Sequence, residues 1–156
     1  MKKQDKKYEV YLQILREELV PAMGCTEPIA ISYCAAKARD ILGTMPDKIL
    51  IEVSGNIIKN VKSVIVPNTN GLKGIEAAAA AGIVAGKSDK ILEVISSVTE
   101  EEKEAMKEFL KTREFVVLPA KSAAILDIEI TLYKGDCSSK MCIRDRGTET
   151  PYGPGI

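Results

Sequence analysis

The residues of this chain best suited to chemistry stand together in Met23-Gly24-Cys25-Thr26-Glu27-Pro28. A thiol just ahead of a helix start meets unpaired N–H groups and the positive end of the helix dipole, and both favour thiolate over thiol. Cys25 is therefore the candidate nucleophile or metal ligand. Thr26 suits an N-cap. Glu27-Pro28 suit the first turn, where an acid meets the dipole and proline gives up an N–H that has no partner in any case. The helix expected behind them, Pro28 to Leu42, carries Ile29, Ala30, Ile31, Tyr33, Cys34, Ala35, Ala36 and Ala38, with almost no charge until Lys37. Such a helix is buried, which puts Cys25 at the edge of a core. The same spacing also describes a capped core helix preceded by an inert cysteine, because free cysteine is among the most buried residue types.

Two loops hold the other polar candidates. Pro67-Asn68-Thr69-Asn70-Gly71 leads toward Leu72-Lys73-Gly74-Ile75-Glu76 and the alanines Ala77 to Ala81, a strong helix former with a face free of bulk. A helix N-terminus with small neighbours accommodates a carboxylate or phosphate, and a plain polar turn accounts for the same residues. Asn56, in Ser54-Gly55-Asn56, could hydrogen-bond a substrate or simply serve a turn. Gly82-Ile83-Val84-Ala85-Gly86-Lys87-Ser88 has the wrong glycine spacing for a P-loop and follows a helix rather than a strand. Cys137-Ser138-Ser139-Lys140-Met141-Cys142 has four residues between its cysteines, as one pair in some iron–sulfur proteins does.

Composition narrows the chemistry. The 156 residues suffice for one domain with a core. The chain has no histidine, which excludes Ser-His-Asp and Cys-His catalysis and imidazole zinc sites. Acid–base work falls to Lys, Glu, Asp, Tyr, a thiolate or a metal-bound group. With 22 basic and 22 acidic residues, two Phe, five Tyr and no Trp, the chain lacks both the charge and the stacking platforms of a nucleic-acid binder. Its longest uncharged run, Ala77 to Gly86, falls far short of the ~20 residues of a membrane span. The basic start is followed by a charged amphipathic pattern rather than a secretory signal, so a cytoplasmic location is expected. Four cysteines then read as core, metal-binding or reactive thiols rather than a disulfide framework.

Periodicity supplies the elements. Tyr8, Tyr11, Leu12, Leu15 and Leu19 recur at helical spacing, predicting a helix from Lys6 to Leu19 that Val20-Pro21 ends. Gly43 is a natural C-cap for the second helix. Lys48 to Ser54 reads as a strand, and Ile57 onward as its hairpin partner up to Pro67, although Ile57 to Asn60 could equally form a helical turn. Ser88 can cap a further segment, Asp89 to Val98. Thr99 with Glu102 fits a capping box opening a helix from Glu100 to about Lys111. Phe115 to Leu118 and the alternating Leu126 to Tyr133 are strands. The class is α+β or α/β, a small mixed sheet against small-residue helices. Residues 1–135 form the domain. Residues 136–156 lack periodicity and read as a disordered tail, and Lys140-Met141-Cys142-Ile143-Arg144-Asp145 looks like a translated transposase adaptor, a cloning or assembly scar.

Gly24-Cys25-Thr26-Glu27-Pro28-Ile29-Ala30, Val53-Ser54-Gly55-Asn56-Ile57-Ile58-Lys59-Asn60, and Val66-Pro67-Asn68-Thr69 with Gly71-Leu72-Lys73-Gly74-Ile75-Glu76-Ala77-Ala78 together resemble the serine dehydratase alpha-chain-like family. Within it they look most like the branch of UPF0597 proteins and L-cysteine desulfidases. The resemblance covers about Tyr8 to Gly135, roughly the first third of such proteins. It implies an oxygen-sensitive 4Fe-4S cluster held by three cysteines, whose open iron acts as a Lewis acid on the substrate carboxylate and the leaving group while a base takes the α-proton. Carried over by motif, Cys25 is the metal ligand. Thr26, Glu27, Asn56, Asn68 and Thr69 match motif positions that would line the site, with Glu27 the catalytic candidate and the other four binding substrate, and the resemblance does not assign the base among them. The remaining cluster ligands belong to later parts of such proteins, so the fragment is expected to be inactive alone.

The expected function is thus the N-terminal part of an iron–sulfur lyase that β-eliminates L-cysteine or L-serine. The partners implied are a small-molecule amino-acid substrate, with no nucleic acid or membrane and a homo-oligomer left open. The alternative is a non-catalytic small-molecule-binding or regulatory α+β domain in which Cys25 is structural.

Overall fold

The computed structural model describes residues 6–19 and 24–145. Along them run α1 (Lys6–Glu18), α2 (Thr26–Leu42), β1 (Lys48–Val53), α3 (Gly55–Val61), α4 (Ile75–Ala85), α5 (Glu100–Thr112), β2 (Glu114–Pro119), β3 (Asp127–Lys134) and β4 (Cys137–Arg144). A 3-10 segment, Ser88–Glu93, lies between α4 and α5. The fold is α+β. One sheet has the order β2-β1-β3-β4, with β1 and β2 parallel and the other neighbours antiparallel. A parallel pair cannot be joined by a tight turn, and α3, α4 and α5 form the crossover that β1 and β2 require.

Strand alternation decides which face of the sheet is covered. Ile49, Ile51 and Val53 of β1 and Ile128, Ile130 and Leu132 of β3 are all fully buried, and they share one core with the small residues of α2 and α4. Small side chains let those two helices touch at backbone distance: the Ser32 hydroxyl donates to the Ala78 carbonyl at 2.7 Å. A Cβ built on Gly82 would stand 2.0 Å from the Ser32 oxygen, so only glycine fits there. From α2, Arg39 donates to the carbonyls of Ile83 at 3.0 Å and Gly86 at 2.8 Å, satisfying acceptors that the end of α4 leaves open. Gly43 closes α2 at φ 77, and the Thr99–Glu102 capping box opens α5.

Several expectations are corrected. Ile57 does not begin a hairpin strand. Gly55–Val61 is α3, whose Ile57 and Val61 lie one turn apart and are both buried, and between α3 and α4 the described residues pair in extended form at the isolated bridge Ile65 to Lys73. Ser88 does not cap its segment, where Lys87 is the N-cap and the Ser88 hydroxyl donates to Asp40 at 2.5 Å. The 3-10 segment there is broken at Ile91, exposed at φ 52. Residues 137–144, expected within a disordered tail, form β4 paired along the whole of β3. Alternation is present in β4 but hidden, because the core-facing position is a serine: Ser139 is buried and donates to the Ala38 carbonyl at 2.7 Å. Val20-Pro21 as the stop of α1, and residues 146–156 of the expected tail, lie outside the described residues. No described helix is long and apolar enough to cross a membrane.

Candidate functional site

Cys25 is the N-cap of α2, with extended φ −60 and ψ 122, and its thiol is exposed. Thr26, expected as the cap, is instead the first helical residue and is exposed. Gly24 turns the chain into the helix at φ 122, a conformation glycine adopts at little cost, and a Cβ there would stand 3.7 Å from Pro67. The Cys25 loop therefore rests on the loop that precedes α4. Glu27, in the first turn of α2, accepts a hydrogen bond from the Asn60 side chain at 3.0 Å. Asn60 lies on α3, which leaves the carboxyl end of β1 directly through Ser54, and the end of a strand beside a helix start is a recurrent ligand position. Three segments distant in sequence, 24–27, α3 and the Pro67 loop, thus meet.

Not every predicted site residue is free to serve it. Thr69 is fully buried, and its hydroxyl donates to the Val66 carbonyl at 2.7 Å, so it shapes the loop from inside rather than facing a ligand. Asn68 sits at φ 56 and its amide donates to the Ile95 carbonyl at 3.0 Å, tying the loop to the segment before α5. Asn70, also at φ 56, donates to Glu100 at 3.2 Å. Asparagine is among the residues that tolerate this region, which is what these turns require. Asn56 is exposed in the first turn of α3, one helical turn before Asn60. Asn60 itself was not singled out from the sequence, although it closes the second motif; its role appears only when α3 is laid beside α2.

The four thiols fall into different environments. Cys34 lies in the core, donates to the Met141 carbonyl at 3.4 Å, and has its pKa pushed up to about 12, mainly by burial. Cys137 and Cys142 are exposed on β4. The described residues hold no group of three His, Cys, Asp or Glu side chains arranged to take a metal ion.

A second concentration of charge lies on the sheet face away from the core. Glu52 and Glu129 are cross-strand partners. The Glu52 carboxyl is held above its ordinary pKa, chiefly by the hydrogen bond it shares with Glu129 and then by burial. That of Glu129 is held below, chiefly by Lys140 at 2.6 Å. Asp127, buried, pairs with Arg144 at 3.1 Å and accepts from Ser122. A cavity of about 360 Å³ opens among Glu52, Lys121, Ser122, Asp127, Lys140 and Arg144. Sequence periodicity sends Glu129 to the wet face, but only strand register sets it opposite Glu52.

Comparison with known proteins gives this geometry a lineage. The chain is 60% identical over 148 residues to a UPF0597 protein of Desulfitobacterium hafniense, a match covering 95% of the chain and 34% of that relative. It is 64% identical over 104 residues to a UPF0597 protein of Treponema denticola, across 67% of the chain and 24% of the relative. With a UPF0597 protein of Lachnoclostridium phytofermentans it shares 50% identity over 132 residues, 85% of the chain and 32% of the relative. No family model matches the chain, and no solved structure does. The strong homologues of this chain are UPF0597 family proteins, and it spans about a quarter to a third of the length of the curated relatives it matches.

Proposed function

We propose that this chain is the N-terminal part of an iron–sulfur-dependent lyase that β-eliminates L-cysteine or L-serine. The observation that carries the reading is an exposed Cys25 at the start of α2, resting on the Pro67 loop, with Glu27 beside it held by Asn60. In β-elimination a base takes the α-proton, the electron pair becomes the Cα–Cβ double bond, and the Cβ–S or Cβ–O bond breaks, its pair leaving with sulfide or hydroxide. The resulting aminoacrylate hydrolyses to pyruvate and ammonia. In this reading Glu27 takes the proton, and the hydrogen bond it accepts from Asn60 supports that role. Exposed Thr26 and Asn56 are the polar groups left to meet a substrate, whereas Asn68 and Thr69 hold the loop in shape.

The described residues do not by themselves fit a 4Fe-4S cluster. Such a cluster needs several thiolates, and Cys34 is locked in the core while Cys137 and Cys142 lie on β4. No step is therefore assigned to it on this chain, and the chain alone is expected to be inactive. A non-catalytic binding domain draws support from the inward commitment of Asn68 and Thr69.

The test uses the full-length reading frame, made anaerobically and assayed for pyruvate and sulfide from L-cysteine and pyruvate from L-serine. Glu27→Gln is expected to lower kcat by about 10²–10⁴-fold, the usual worth of a general base, and Cys25→Ser to abolish turnover. Iron–sulfide reconstitution of the present chain should give no stoichiometric cluster. Absence of turnover in the full-length parent would sink the lyase reading and leave the binding domain, and undiminished turnover in both variants would remove Cys25 and Glu27 from the catalytic site.

A further inference from the structure

We infer that the apolar face of α1 is the docking surface for the part of UPF0597 proteins that lies outside the stretch matched by this chain. This inference rests on the homology and the helix, not on the lyase reading. None of the 13 residues of α1 is buried. Yet Tyr8, Val10, Tyr11, Leu12, Ile14, Leu15 and Leu19 are apolar, and Val10, Tyr11, Leu15 and Leu19 stand 54%, 53%, 49% and 68% exposed. At about 100° per residue Tyr8, Tyr11, Leu12, Leu15 and Leu19 form an unbroken apolar arc of roughly 100°, and Val10 and Ile14 lie to one side of it beyond Lys7 and Glu18. Lys6, Glu9, Gln13, Arg16 and Glu17 occupy the opposite side, basic and acidic residues mixed.

The width of that arc selects the occupant. A helix that lies on a globular body presents an apolar stripe of about 100° or more, whereas pairing with one other helix uses only a narrow a/d seam. An arc of this width matches a helix that lies on a body with its own core. The polar side also lacks the row of Lys and Arg with which an amphipathic helix meets an anionic lipid surface. About two thirds of the Desulfitobacterium relative lies outside the match, ample length for such a body.

Amide hydrogen exchange over residues 6–19 tests this in two proteins: the present 156-residue chain, and a full-length chimera in which it replaces the matched stretch of the Desulfitobacterium relative. In the short chain these amides should exchange nearly as an unprotected peptide does, and in the chimera at least about 100-fold more slowly, as buried elements do. Leu15→Asp should remove that protection, and Gln13→Glu, on the polar side, should preserve it. Should the chimera fail to fold, exchange over the matched helix of the unaltered relative gives the same reading. Equal exchange in the short and long proteins would overturn the inference. So would protection in the short chain that disappears on dilution together with a dimer seen by sedimentation, since that assigns the face to a second copy.

Discussion

At the scale of single residues, burial divides chemically identical side chains into different kinds. Burial around the Cys34 sulfur leaves a thiolate there poorly solvated, and the nearby Cys142 adds to that penalty. The Cys34 pKa rises from the ordinary 9.0 to about 12 for that reason. The raised value sets a sign. Below pH 9 the thiol is protonated in both states and its titration leaves stability unchanged; between pH 9 and about 12 the unfolded chain ionises it and the folded chain does not, so folding weakens as pH rises. Alkylation of the native protein at pH 8, read by peptide mass, should label exposed Cys25, Cys137 and Cys142, and reach Cys34 only once denaturant is added. Native labelling of Cys34 at the rate of Cys25 would contradict the placement of α2. The same division explains the site: the hydroxyl of Thr69 and the amide of Asn68 look like ligand-binding groups in a motif, but each has its acceptor inside the protein.

At the scale of elements, the contact between α2 and α4 organises the helical layer. Its closeness comes from what is missing, a side chain at Gly82 and bulk at the alanines. Gly82→Ala drives a methyl into the Ser32 carbonyl of the facing backbone, and overpacking of this kind costs about 1–3 kcal/mol or more. Thermal unfolding should therefore show a clear fall in Tm for Gly82→Ala, and little change for Gly55→Ala, where a Cβ meets open space. A Gly82→Ala protein as stable as its parent would mean that the helices lie further apart. Because α2 carries Cys25 and Glu27 at its start, that contact also holds the candidate site against α3 and the Pro67 loop.

At the scale of the whole molecule, the sheet is completed by an edge strand that composition disguises. β4 pairs with β3 from end to end and joins α2 through Ser139 and Ala38. A chain cut after Gly135 should lose its cooperative thermal transition or unfold at a markedly lower temperature than a chain ending at Asp145. Equal melting of the two would return residues 137–144 to the status of a tail. α1 makes the complementary point: it carries an apolar stripe, yet none of its residues is buried.

What the sequence determined by itself is local. Periodicity and capping residues placed α2, α4, α5 and the strands β1, β2 and β3, because helix and strand repeats are written in neighbouring residues. It also picked out Cys25 and Glu27 at a helix start. Tertiary structure alone decided the rest. α3 replaced a hairpin because Ile57 and Val61 find one core. β4 emerged because a serine can face a core when a helix carbonyl accepts its proton. Glu52 and Asn60 gained partners that lie 77 and 33 residues away, through strand register and helix packing. Such pairings depend on which faces are buried against which, and burial is a property of the folded chain rather than of any stretch of it.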